Sequence, residues 1–230
     1  MKGKLTVAGG LPPVLAQGLF SVPGEYPATL RFSTSPGDLL PDSISLPRGV
    51  AIKLEGVSGE LLPGTQGNAQ DFLLITGKTF LAPDSKHFLR SLKLLASTTD
   101  KAETLKVVLS AVLRGAERAL EAAGGESATL KALGGYPETH ILGESFFTQA
   151  PLRYGDYIAK IGLFPASPEL MALTDAPLGL NHDPDALRHA VKAFFATKGG
   201  AWDLRVQLCT SLEEMPVEDA SKAWDEAKSA

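Results

Sequence analysis

The sequence has almost no cysteine. Cys209 stands alone among 230 residues, which excludes an internal disulfide and any multi-cysteine zinc or iron–sulfur site, and a lone thiol of this kind reads first as a small buried hydrophobe. A reducing compartment is the simplest setting for such a chain. Nor is there an excess of positive charge: 22 basic side chains stand against 26 acidic ones, a formal net charge of -4. That balance offers no general attraction to nucleic acid or to an anionic membrane, and no basic stripe with interleaved aromatics offsets it. No run approaches the roughly 18 uncharged apolar residues of a membrane helix, and "MKGKLTVAGGLPP" lacks the apolar stretch of a secretory signal. The expectation is a soluble, cytoplasmic protein with no membrane span.

Chemistry-bearing motifs are sparse as well. The four histidines, His87, His140, His182 and His189, are scattered, and Pro184 leaves His182 ahead of any helix that could align it with His189. "LLPGTQGNAQ" has glycines without the strand and helix that a phosphate-binding loop requires. No G-x-S-x-G elbow marks a hydrolase nucleophile.

What is present is punctuation and alternation. "KLTV", "ATLRFST", "GVAIKLEGV" and "DFLLIT" are short β-prone runs separated by Gly, Pro, Asp and Ser, with no helical period between them. Strands joined through short turns pair antiparallel, which favours a meander or barrel over a βαβ sheet. From residue 84 the period changes: "DSKHFLRSLKLL" opens on capping residues and spaces Phe88, Leu89, Leu92 and Leu95 as one helix stripe. "KAETLKVVLSAVLRGAERALEAAGG" predicts a second helix that stops at Gly124 and Gly125 and docks on the sheet. "SFFTQAPLRYGDYIAKIGLFPAS" returns to strand chemistry, "DPDALRHAVKAFFATKGG" reads as a capped helix and "AWDLRVQLCTS" as a last strand. The order suits an α+β class in one domain, residues 1–230, without repeats or a linker.

One stretch poses a specific question. Alternation in "ATLRFST" places Leu30 and Phe32 on one face and Thr29, Arg31 and Ser33 on the other. That second face either meets water or holds something anionic.

The blocks "YPATLRFSTSPGD", "LPRGVAIKLEGVSG" and "QDFLLITGKTFLAPDSKHF", in this order and spacing, resemble the haem-dependent catalase family, in particular its short, catalase-related peroxidase-like branch. "FFTQAPLRYGDYIAKIGLFPAS" and "DLRVQLCTSLEEMPVEDASKAWDE" are similar to later segments of the same branch, so the resemblance spans nearly the whole chain. It implies an antiparallel β-barrel with helices packed around it, a haem cofactor, and action on hydrogen peroxide or organic hydroperoxides in oxidative stress, often in a homo-oligomer. Residue by residue it implies that Arg31 contacts a haem propionate and that Ser33 supports a distal histidine. A guanidinium suits a carboxylate because it is a permanently charged, forked donor. Phe88 matches the ring stacked on the porphyrin, Phe80 a ring lining the distal channel, and Leu73 the distal aliphatic position.

The departures from the family pattern concern activity. The family's distal histidine, which moves a proton between peroxide oxygens, matches a position before Met1. Its distal asparagine is replaced by Ile75 and Thr76, of which Thr76 can still donate a hydrogen bond. Its iron is held by a tyrosinate in an R-x-x-x-Y segment that would follow "WDEAKSA". Tyr26, Tyr136, Tyr154 and Tyr157 all lack an arginine four residues earlier and read as structural. The chain is therefore expected to be shortened at both ends or degenerate, with poor turnover. A haem-free module for ligand binding or assembly, and a fatty acid hydroperoxide isomerase, are the other functions this pattern allows.

Overall fold

A computed structural model describes residues 1–34, 40–44, 46–59, 61, 64–98, 136–180 and 183–229. The helix expected over 101–125, and with it His182, lies outside the described residues. The strands are β1 (Lys2–Val7), β2 (Gly24–Thr34), β3 (Arg48–Glu55), β4 (Ala69–Ile75), β5 (Phe146–Phe147), β6 (Leu152–Tyr154), β7 (Tyr157–Pro165) and β8 (Trp202–Leu208). Among the described residues three α-helices accompany them: α1 (Ser85–Thr98), α2 (Pro168–Met171) and α3 (Ala186–Thr197).

Every strand pairing is antiparallel, and the order runs β1-β2-β3-β4-β5-β7-β6 with β8 added to β7. This corrects the expected barrel: among the described residues the eight strands form an open sheet, with no ladder joining β1 to β6 or β8. The sheet nonetheless bends over its own core, since the Phe32 ring of β2 lies 5.8 Å from that of Phe146 and 6.2 Å from that of Trp202 on β8. Side chains bridge the two halves where a barrel would use backbone hydrogen bonds. The hinge between them is slight, because β5 offers only the pair Ile75↔Phe147 to β4 and two pairs to β7. Closure requires every neighbouring pair to hold a consistent tilt and stagger, and so short a strand does not impose one. The core is completed instead by loops and helices, through Ile141, Leu142, Leu170, Leu180 and Leu187.

Alternation assigns the two faces. Ala28, Val50, Ile52, Leu54, Phe72 and Leu74 are buried on the core face, and the registers Arg31↔Ala51↔Leu73 and Ser33↔Gly49↔Ile75 run across the opposite, outer face. On β7 the core face carries Ala159, Ile161 and Leu163, but Lys160 and Gly162 on the outer face are buried too, because the chain after β8 returns over them. Helix α1 begins as expected, with Asp84 Oδ1 accepting from the His87 backbone N–H at 2.9 Å. Its stripe is not docked: Leu89 and Leu92 are exposed. Helix α3 is capped across the fold rather than locally, for Asp42 Oδ2 accepts from the Leu187 N–H at 2.8 Å while the Asp185 side chain makes no cap.

Phe146 is fully buried at the point where the halves meet. Phe146→Ala is expected to cost about 3–5 kcal/mol, the range for truncating a core aromatic, in urea unfolding. A cost below about 1 kcal/mol would mean that the halves do not share one core.

Candidate functional site

The outer face carries the residues singled out in the sequence, but not all of them. Arg31 is exposed and, among the described residues, its side chain makes no hydrogen bond or ion pair. Ser33 shares its face and leans over Gly49, where an added Cβ would lie 3.3 Å from Ser33 Oγ and 3.3 Å from the Leu74 carbonyl oxygen. The pairing of the N-terminal strand with β2 reaches Leu30, which exchanges backbone hydrogen bonds with Met1 at 2.8 and 2.9 Å, so Arg31 and Ser33 lie just beyond the covered part of that strand edge. There they border a cleft of about 360 Å³ that is closed on its far side by Leu187, Val191 and Lys192 of α3. Arg188 of α3 also lines it, and the acidic side chains Asp42 and Asp185 sit among these cations. Burial pushes the Asp42 carboxyl above its ordinary range, the Leu187 N–H opposing that shift.

Leu73 is 73% exposed, one residue beyond Ala51 from Arg31 in the cross-strand register. It is a surface side chain and does not line the cleft. Thr76 is on the opposite side of the sheet from Arg31 and Ser33: it is 3% exposed, its Oγ1 accepts from the Arg48 N–H at 3.0 Å and its own N–H donates to the Arg48 carbonyl at 2.8 Å. Its hydroxyl oxygen thereby continues the β3–β4 ladder, on the side away from Arg31. Phe80 and Phe88 do meet, with ring centroids 4.7 Å apart. They meet beside the C-terminal segment, where the Phe80 N–H donates to the Ala220 carbonyl, and neither lines the cleft of Arg31 and Ser33. The six residues therefore divide among an exposed sheet face, a buried ladder end and a separate aromatic pair.

Haem, which the family resemblance implies, is matched only in part. A guanidinium without a side-chain partner among the described residues, beside an open, partly apolar sheet face, suits the propionate edge of such a group. The iron is another matter, because an axial phenolate needs a tyrosine that is both free and readily ionised. Tyr26 Oη donates to the Leu19 carbonyl at 3.3 Å. Tyr154 Oη donates to the Leu15 carbonyl at 2.6 Å, and burial pushes its pKa up to about 12. Tyr136 lies under the Arg48 guanidinium, 5.6 Å from ring centroid to Cζ, and Tyr157 sits exposed in the tight β6–β7 turn. Histidine does no better: His140 caps a turn by accepting from the Leu142 N–H at 3.2 Å and is held below its ordinary pKa by burial and by Arg48. His87 and His189 are each occupied by a neighbouring aspartate, Asp84 and Asp183. Among the described residues no group of three or more metal-binding side chains converges. The described residues thus fit the rim of a haem and not its iron.

Sequence reasoning did not single out the most heavily engaged cation, Arg48. It is 1% exposed, and its Nη1 donates to Glu144 Oε1 at 2.7 Å, to the Thr139 carbonyl at 2.7 Å and to Thr139 Oγ1 at 3.1 Å, while Nη2 donates to the Pro137 carbonyl at 2.9 Å. Thr139 also donates to Glu144. Its available signal was parity, since Arg48 shares the β3 face of Val50, Ile52 and Leu54. With both terminal nitrogens engaged, this cluster is a structural clamp.

The Tyr154 assignment has a pH signature. Because its folded pKa is raised, the phenol contributes stability that is fully present below the unfolded value of 10.0 and is lost as pH climbs towards about 12. Ultraviolet titration of tyrosinate in the native chain against a Tyr154→Phe variant is expected to remove one late-titrating phenol. Loss of a phenol that ionises near neutral pH would instead make Tyr154 a candidate ligand.

No helix among the described residues is long and apolar enough to cross a membrane. The sequence matches no protein-family model and no curated protein.

Proposed function

We propose that this chain is a catalase-related haem protein, of a kind that acts on hydrogen peroxide or an organic hydroperoxide in the cytoplasm as part of a response to oxidative stress, with its turnover impaired. The reading comes from the resemblance of the "ATLRFST", "LPRGVAIKLEGV" and "QDFLLITGKTF" blocks. The observation that best supports it is Arg31, a guanidinium with no side-chain partner among the described residues, on an outer sheet face with Ser33 and Leu73 on the same side. Haem supplies the redox chemistry of peroxide cleavage when it is bound. Arg31 would hold a propionate carboxylate, and the Ser33 hydroxyl would offer a donor on the same side. Thr76, buried on the opposite side of the sheet with its oxygen accepting from the Arg48 N–H, is not beside Arg31 and Ser33. No iron ligand or distal base is among the described residues, so no catalytic step is assigned to them.

That same shortfall supports a second reading, a haem-free module in which the outer face binds another ligand or a second copy of the chain. The edge of β2 beyond Leu30, where pairing with Met1 ends among the described residues, is suited to strand pairing.

Titration of the purified chain with haemin separates the two. The proposal predicts a saturable Soret shift, with affinity lowered up to about fivefold by Arg31→Ala, since an exposed ion pair contributes up to about 1 kcal/mol. Peroxide consumption is expected to stay near that of free haemin. An unshifted Soret band would favour the haem-free module, and rapid dismutation would contradict the missing iron ligand.

A further inference from the structure

A second recess, remote from Arg31, lies on the outer face of β7 and β8. It is built by alternation: Lys160, Gly162 and Phe164 of β7 face outward, as do Gln207 and Arg205 of β8 through the registers Lys160↔Gln207 and Gly162↔Arg205. Phe147 of β5 joins them through Phe147↔Gly162. The chain beyond β8 returns across this face. Its Trp224 is buried, and the Trp224 carbonyl accepts from Gln207 Nε2 at 3.4 Å. A cavity of about 230 Å³ remains between the returning segment and the sheet.

Its walls combine two aromatic rings with an excess of cations, Lys78 Nζ lying 5.9 Å from the Phe147 ring centroid and Arg205 Cζ 4.5 Å from that of Phe164. Phe147 and Phe164 meet edge to face with centroids 5.5 Å apart. Gly162 makes room for them, because a Cβ there would lie 2.6 Å from the Phe164 ring. Three lining cations, Lys78, Lys160 and Arg205, stand against one lining carboxylate, Glu226. Glu226 is bound to Lys78 at 2.9 Å, and Arg205 is bound to Asp203 at 3.2 Å. Lys160 has no carboxylate partner among the described residues. It is 5% exposed, and among the described residues its Nζ reaches the Lys222 carbonyl at 3.5 Å and the Trp224 ring at 4.9 Å. A buried ammonium so poorly compensated is costly unless an anion completes it. Burial accordingly lowers its pKa. Ser229 Oγ, also at this cavity, is buried and has no hydrogen-bond partner among the described residues.

We propose that this recess is a binding site for a small aromatic carboxylate, its carboxylate on Lys160 Nζ and Ser229 Oγ and its ring against Phe147 and Phe164. A charge-assisted hydrogen bond to ammonium fixes the anionic end, and ring-to-ring packing selects a flat apolar body. The volume lies below the range of drug-sized pockets, which limits the ligand to a single ring. This site is independent of the haem reading.

The test is calorimetric titration of the full chain with benzoate at constant ionic strength. Saturable binding is expected, at least tenfold tighter than benzamide, which keeps the ring and loses the charge, and tighter than cyclohexanecarboxylate, which keeps the charge and loses the flat ring. Lys160→Met removes a desolvated charge and keeps the length, so the fold is expected to persist while benzoate affinity falls at least tenfold. The proposal is overturned by absent benzoate binding, by benzamide binding as tightly as benzoate, or by a folded Lys160→Met chain that binds benzoate unchanged.

Discussion

The arrangement of the sheet depends on one buried cation. Arg48, at the start of β3, ties that strand through four hydrogen bonds to Pro137, Thr139 and Glu144, residues about 90 positions away. The segment it grips leads directly into β5, so the clamp sets where the second half of the sheet meets the first. Glu144 is largely buried, and the guanidinium opposes the upward push that burial exerts on its carboxyl. Two charges taken out of water in this way stabilise little by themselves, but removing either leaves the other stranded. The contribution of the pair is to specify position, and the Phe32, Phe146 and Trp202 contacts follow from it.

With the halves placed, alternation does the rest. Each strand gives one set of side chains to a shared core and the other to an outer face that has two distinct regions. Around β2 to β4 that face is open and carries Arg31 and Leu73. Around β7 and β8 the C-terminal segment covers it and encloses Lys160. One sheet therefore offers an exposed guanidinium at one end and a buried ammonium at the other. The first suits a large flat ligand with peripheral carboxylates, the second a small one.

Much of this was legible in the residues. Alternation in "ATLRFST" placed Arg31 and Ser33 together on the correct face, and the strand runs and the Asp84 start of α1 follow from spacing and capping chemistry. The same parity argument, carried one step further, separates Leu73 from Thr76: three residues apart, they lie on opposite sides, and that is where the structure has them. What no local pattern carries is long-range closure. A two-residue β5 leaves the sheet open, Asp42 caps a helix 145 residues away, and Lys160 reads as a solvated lysine until the C-terminal segment is folded over it. The aromatic pair Phe80 and Phe88 illustrates the limit from the other side, since a resemblance assigned both to one pocket and the fold pairs them elsewhere.

The most direct measurement is a double-mutant cycle on Arg48 and Glu144, with Arg48→Met, Glu144→Met and the double variant unfolded in urea. If the clamp fixes the meeting of the two halves, each single variant loses about 3–5 kcal/mol, as expected when one partner of a buried pair is removed, and the double variant loses less than the sum by more than about 1 kcal/mol. Losses that add to within about 0.5 kcal/mol, or single losses below about 1 kcal/mol, would show that the sheet is positioned by something other than this pair.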